Sequence, residues 1–141
     1  MSTAESGDKF QVIPIKSEFR VLICGSRNWT NKARIGRYLD SIMDDEGYTA
    51  DMITVIHGGC KGADHHAGME AKGRGISVVE YPANWVKHGL CAGPVRNQQM
   101  IDDGKPDRVI AFHADLNSSK GTKDMVARAK FHDIPVTIIQ N

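Results

Sequence analysis

Cysteine, aromatic residues, surplus charge and long apolar runs are all scarce in this sequence, and each scarcity removes a class of protein. The three cysteines, Cys24, Cys60 and Cys91, are odd in number and widely spaced. Reduced thiols in a cytoplasm fit that pattern better than a disulfide framework. Lysine and arginine total 18 against 17 for aspartate and glutamate, a net charge of +1. That balance argues against a general polyanion binder, so nucleic acid is not an expected partner. Any phosphate affinity has to come from a local pocket. No apolar run reaches spanning length, and residues 1–20 lack the continuous apolar segment of a signal peptide. A soluble, cytoplasmic protein with no membrane partner is expected. Its 141 residues make one domain, since a chain of this size buries roughly two-thirds of its unfolded surface around one core.

The two best-known nucleotide fingerprints are also missing. No Lys-Ser/Thr pair follows a glycine and a four-residue gap, and the Gly-x-Gly-x-x-Gly spacing is absent. What is present is the stretch from Val55 to Asp64. An apolar β-type run, Ile53 to Ile56, stops at Gly58 and Gly59, and an alanine-rich helical pattern starts at Ala63. Gly58, Gly59 and Gly62 permit backbone angles and close approaches that a Cβ forbids. Exposed amides at a helix start favour an anion, and Lys61 adds a full charge. The turn therefore reads either as a phosphate cradle or as a tight βα turn with glycines for packing.

The rest of the chain alternates in the same way. Residues 1–18 are expected to be a flexible N-terminal arm. Phe10 to Ile15 is β-prone but interrupted by Pro14, which suits an edge strand or an arm on the body or on a second subunit. Arg20 to Cys24 is the first confident strand, apolar as a parallel strand covered on both faces should be. A helix over about 31–46 follows, capped by Thr30 or Asn31, with Ile35, Leu39 and Met43 on its buried stripe. Further strands are expected at Ile53–His57, Ile76–Tyr81, Val109–Phe112 and Pro135–Ile139. Helices are expected over about 63–72, from Pro94 to Gly104, and from Gly121 to about His132. Residues 82–94 read as a loop. Strands alternating with helices long enough for crossovers predict an α/β, Rossmann-like three-layer fold over 19–141, with a parallel sheet of order 3-2-1-4-5. Ligands of such sheets bind at the carboxyl ends of the strands, at the switch between strands one and four.

Several side chains would gather at that edge. Gly25, Ser26 and Arg27 follow the first strand, and Arg27 suits a phosphate or ribose. Lys120, Gly121 and Thr122 offer a second phosphate site, or simply a helix start with Thr122 or Ser119 as cap. Arg96 and Asn97 lie near a helix start, where the arginine can hold phosphate or carboxylate bidentately or form a surface ion pair. Trp85 either stacks on a base or plugs the edge of the core, with the plug favoured. Asp64 and Asp124 lie in first helical turns. Capping explains them, while in a nucleotide site they would accept ribose hydroxyls or, in an enzyme, act as acid or base. His57, His65, His66, His88 and His113 fall near strand ends with Cys60 and Asp64. Because no two histidines have i, i+4 spacing, no metal is expected. A nucleophile at Cys60 or Cys91 lacks an evident base.

Five motifs in order, at 21–27, 57–64, 81–85, 93–100 and 121–124, together resemble the SLOG superfamily over about residues 20–140. The branch they resemble most is that of small bacterial and phage proteins related to the LOG phosphoribohydrolases and to DNA-processing protein A. The resemblance implies a Rossmann-like domain that binds nucleotides or nucleotide-derived ligands, as a dimer or higher homo-oligomer. LOG enzymes cleave nucleoside monophosphates at the N-glycosidic bond, with an arginine and a Pro-Gly-Gly-x-Gly-Thr-x-x-Glu motif. Gly121 and Thr122 match that motif and Arg96 is placed to match the arginine. Asn117, Ser118 and Ser119 replace the proline and first two glycines, and Met125 stands at the glutamate position. The expectation is binding, by sensing or sequestering, of a nucleotide or a nucleotide-derived signal such as an ADP-ribose derivative. The alternative is a LOG-like N-glycosidase using Asp64 or Asp124. No cofactor is required by either reading.

Overall fold

The computed structural model describes residues 18–141, and the expected N-terminal arm lies outside them apart from Glu18. Five strands, β1 (Phe19–Gly25), β2 (Ile53–His57), β3 (Ser77–Glu80), β4 (Arg108–Phe112) and β5 (Val136–Ile139), form one sheet. Its order is β3-β2-β1-β4-β5 and every pairing is parallel. The helices are α1 (Lys32–Glu46), α2 (Ala63–Gly73), α3 (Trp85–His88), α4 (Ala92–Asp102) and α5 (Lys120–Phe131). Among the described residues no helix is long and apolar enough to cross a membrane.

Alternation along the central strands divides the interior in two. Val21 and Ile23 of β1, with Ile110 and Phe112 of β4, face a core closed by Ile35, Leu39 and Ile42 of α1 and the alanines of α2. Leu22 and Cys24, with Val109 and Ala111, face Met100 and Ile101 of α4 and Met125, Val126 and Ala129 of α5. Successive side chains point to opposite faces of a strand, so one apolar run supplies both cores. The result is the expected three-layer sandwich.

Local differences have local causes. On α1 the deeply buried residue is Ile42, while Met43 is half-buried. A helix advances 3.6 residues per turn, so a stripe read every fourth residue drifts off the core after two turns. Asn31 caps α1, its Oδ1 accepting from the Arg34 amide at 3.1 Å. Strand β3 is shorter than expected, four residues at the sheet edge. The stretch read as a loop holds α3, a 3-10 turn at Gly89–Cys91, and the start of α4, with Pro94 inside its first turn. Proline is tolerated there because first-turn amides have no helical acceptor.

Candidate functional site

The carboxyl ends of β1, β2 and β4 open onto one edge of the sheet, and backbone bonds hold their loops together. The Ser26 amide donates to the Phe112 carbonyl at 2.9 Å, and the Ser26 carbonyl accepts from the Ala63 amide at 3.0 Å. This joins the loop after β1 to β4 on one side and to the helix after β2 on the other. Gly62 makes the second junction possible. Its φ is +79°, and a Cβ there would collide with the carbonyls of Ser26 and Arg27. At Gly25, a Cβ would strike the Phe112 carbonyl and lie 2.8 Å from the Ala63 Cβ. These glycines let three loops meet in a small space.

Between the loops lies a cleft of about 400 Å³. Its walls are Cys24 to Asn28 from β1 and its loop, Cys60 and Asp64 from the β2–α2 junction, and Arg96, Asn97 and Met100 from α4. His113, Ser118 to Thr122 and Met125 complete it. Of the residues expected at a ligand site, the cleft brings together Gly25, Ser26, Arg27, Asp64, Arg96, Asn97, Lys120, Gly121 and Thr122. Gly58, Gly59, Lys61, Gly62, Trp85 and Asp124 do not line it.

The glycine turn stays out of the cleft because its amides already have an anion. Asp64 Oδ2 accepts from the Gly58 amide at 3.1 Å and the Cys60 amide at 3.2 Å, while the Gly59 amide donates to His57 Nδ1 at 3.0 Å. A carboxylate at the second residue of α2 thus satisfies two of the turn's amides. Asp64 is only 6% exposed, and burial pushes its carboxyl up to about 6 despite the amides and the nearby arginines. A polar group buried this deeply is held by its hydrogen bonds.

Arg96 is not the surface arginine that a lone residue would suggest. Its buried guanidinium donates to the Gly58 carbonyl at 2.5 Å, the Tyr81 carbonyl at 3.4 Å and Asn97 Oδ1 at 3.0 Å. Asn97 Nδ2 passes the chain of bonds on to the Gly121 carbonyl at 3.2 Å and Asp124 Oδ2 at 2.9 Å. Asp124 also takes Arg128 Nε at 2.7 Å. Asp124 is therefore spent on fixing α4 against α5 rather than on the cleft. Among the described residues Arg96 forms no ion pair within salt-bridge distance, and its charge, partly offset by the nearby Asp64 carboxyl, also faces the cleft that it lines.

Across the cleft, Ser119 caps α5, its Oγ accepting from the Thr122 amide at 3.2 Å. That is the plainer of the two sequence readings, and it moves the helix start to Lys120. Capping by Ser119 leaves the amides of Lys120 and Gly121 without a protein acceptor among the described residues. Lys120 and Gly121 both line the cleft.

Two comparisons with known proteins bear on this arrangement. Residues 19–88 match the model of the YAcAr family, described as the YspA, cpYpsA-related SLOG family. The sequence is also 34% identical over 122 residues to the Gene 61 protein of Mycobacterium phage D29, covering 83% of this chain and 93% of that protein. This chain belongs to the SLOG superfamily. Membership supports a nucleotide-related role in general terms.

In this SLOG chain, sequence reasoning undervalued three lining residues. His113 is buried, and its Nδ1 accepts from the Asp115 amide at 3.0 Å, which places the proton of a neutral ring on Nε2. Cys24 is buried with its thiol pushed strongly upward by desolvation, which makes it an inert wall. Met125, at the glutamate position of the LOG motif, is an apolar part of the cleft. The available signal was proximity for Cys24 and His113, which lie at expected strand ends, and the motif position for Met125, four residues after Gly121. Trp85 does not plug the core. It is 53% exposed because its four-residue helix stands outside both apolar clusters. Among the described residues no group of three histidine, cysteine or acidic side chains could hold a metal ion.

Proposed function

We propose that this protein binds a nucleotide or a nucleotide-derived signal, such as an ADP-ribose derivative, in the cleft at the carboxyl edge of its sheet. The observation that carries the reading is the set of groups converging on one small volume. It includes the first amides and side chain of α5 at Lys120 and Gly121, the Thr122 residue, Arg27 and the unpaired Arg96. Amides at a helix start and guanidiniums both prefer an anion. Gly25, Ser26 and Asn97 supply small polar walls for a sugar. The tight turn at Gly58 to Gly62 supports Arg96 and Asp64 in this reading and is not itself the cradle. Native mass spectrometry of protein purified from cells tests it, with a retained nucleotide expected and loss of that mass expected on Lys120→Ala/Thr122→Ala. A bare chain whose melting temperature no nucleotide raises would refute it.

One observation favours a second reading, a LOG-like N-glycosidase. Asp64 is a carboxyl in the cleft whose affinity for a proton is raised by burial, and such groups often serve as acids or bases. Stabilising an oxocarbenium-like state needs a carboxylate beside the ribose. Asp64 is bound by two amides and Met125 offers no charge, so binding without cleavage is the stronger reading. Chromatographic detection of free base released from a nucleoside monophosphate, abolished by Asp64→Asn, would reverse that order.

A further inference from the structure

A second hollow, of about 270 Å³, lies against the first and shares Arg27, Cys60 and Arg96 with it. Gly58, Gly59, Lys61, Pro82, Ala83 and Trp85 line the remainder. Cys60 marks the boundary, its Sγ 4.0 Å from Arg27 Nη2 and 3.9 Å from Arg96 Nη2. The hollow therefore places two guanidiniums and an ammonium beside an exposed indole.

The backbone that carries the indole is held in place. Asn84 caps the short helix that carries it, accepting from the Lys87 amide at 3.0 Å. The Cη2 edge of Trp85 lies over Gly93, 3.9 Å from where a Cβ would stand. A large aromatic side chain is thus left half in water at the rim of a cationic hollow, on a backbone that its helix cap holds in place. Such an aromatic face is a ready stacking platform, because every nucleobase offers a π-face to it. Small-molecule pockets run from roughly 300 to 1,000 Å³, so the second hollow alone falls short of that range and the first lies near its lower end. Joined at Arg27 and Arg96, they suit a longer ligand with charge in its middle.

We propose that the hollow beside Trp85 is the ring subsite of the nucleotide site, and that the ligand is a nucleoside diphosphate derivative spanning both hollows. Its base stacks on the indole, its diphosphate crosses Arg27 and Arg96, and its other end reaches the start of α5. The assignment rests on the nucleotide-binding reading above and adds the ligand's length and direction. It also gives Lys61 a role, as a charge on the base side of the diphosphate rather than as part of a cradle in the glycine turn.

The test titrates ADP-ribose, AMP and ribose 5-phosphate into the wild type, Trp85→Ala and Trp85→Phe, by calorimetry and by tryptophan fluorescence. Trp29 is buried, so the solvent-facing indole of Trp85 carries the ligand response. ADP-ribose should bind more tightly than AMP and quench the wild-type emission. Trp85→Ala should weaken ADP-ribose about tenfold or more, as loss of one stacked base does, and leave ribose 5-phosphate unchanged. Trp85→Phe should keep most of the affinity. Unchanged ADP-ribose affinity in Trp85→Ala would overturn the ring subsite while leaving the binding reading intact. An equal loss for ribose 5-phosphate would overturn it too, because stacking could not be the cause. Equal wild-type affinities for AMP and ADP-ribose would overturn the spanning diphosphate. If the wild type binds none of the three, the subsite and the binding reading fall together.

Discussion

Asp64→Asn followed across pH probes the interior of the site without any ligand. The folded chain holds the Asp64 carboxyl near 6, against an ordinary value of 3.8, and desolvation is the main cause. At about 1.36 kcal/mol per pKa unit, that difference favours the protonated form in the folded state by about 3 kcal/mol. The native chain then binds this proton more tightly than the unfolded chain. Its contribution to stability is complete below about pH 4 and is lost as pH rises through about 6. The asparagine variant keeps an oxygen able to accept from the Gly58 and Cys60 amides and has no charge to lose. Urea unfolding of both proteins, repeated at several pH values, should therefore show a sloping difference. The stability of the wild type relative to the variant should fall by about 2–2.5 kcal/mol between pH 4 and pH 7. Subtraction removes the opposite acid-side dependence of Asp40 and Glu46, whose carboxyls are held low by bonds to Arg74 and Arg108. A flat difference would refute the reasoning, since amides and arginines would then fully offset the burial.

Other perturbations separate the cleft from its supports. Lys120→Ala with Thr122→Ala should weaken a phosphate-bearing ligand by about 1–3 kcal/mol, with the fold kept but the melting temperature lowered modestly, since Lys120 is exposed while Thr122 is buried; calorimetry reads the first and thermal denaturation the second. The same affinity should drop as salt is raised, since Arg27 and Lys120 are exposed and screened, and a salt-independent affinity would count against a charge-based site. Phe112→Ala should cost about 3–5 kcal/mol in chemical denaturation, because this fully buried ring packs against Trp29 and Tyr38 at centroid distances of 5.5 and 6.3 Å. Incubation with nucleoside monophosphates should release no appreciable free base by chromatography, as Asp124 is tied to Asn97 and Arg128.

The sheet was legible because its causes are short-range. Short apolar runs, ended by glycine after β1 and β2 and each but the last followed by a helical pattern, fix the element types. The crossover rule and the switch point then narrow the strand order. The clustering of Arg27, Arg96 and Thr122 at one edge followed from that order. What could not be read was which partner satisfies which group. A carboxylate six residues after Gly58 competes with a ligand for the turn amides, and only the folded turn shows that Asp64 wins. The same holds for Arg96, whose burial depends on carbonyls at Gly58 and Tyr81 far away in sequence. Trp85 was misjudged for the opposite reason. An aromatic residue after an edge strand usually returns to the core, but here the short helix α3 turns it outward.

Calorimetric titration of ADP-ribose into the wild type and into Lys120→Ala/Thr122→Ala tests the central claim most directly. Saturable binding by the wild type, clearly weakened in the variant while the variant stays folded at the titration temperature, is the predicted result. Binding of equal strength in both proteins would place the ligand elsewhere, and no saturable heat from ADP-ribose, ADP or AMP would contradict the nucleotide site itself.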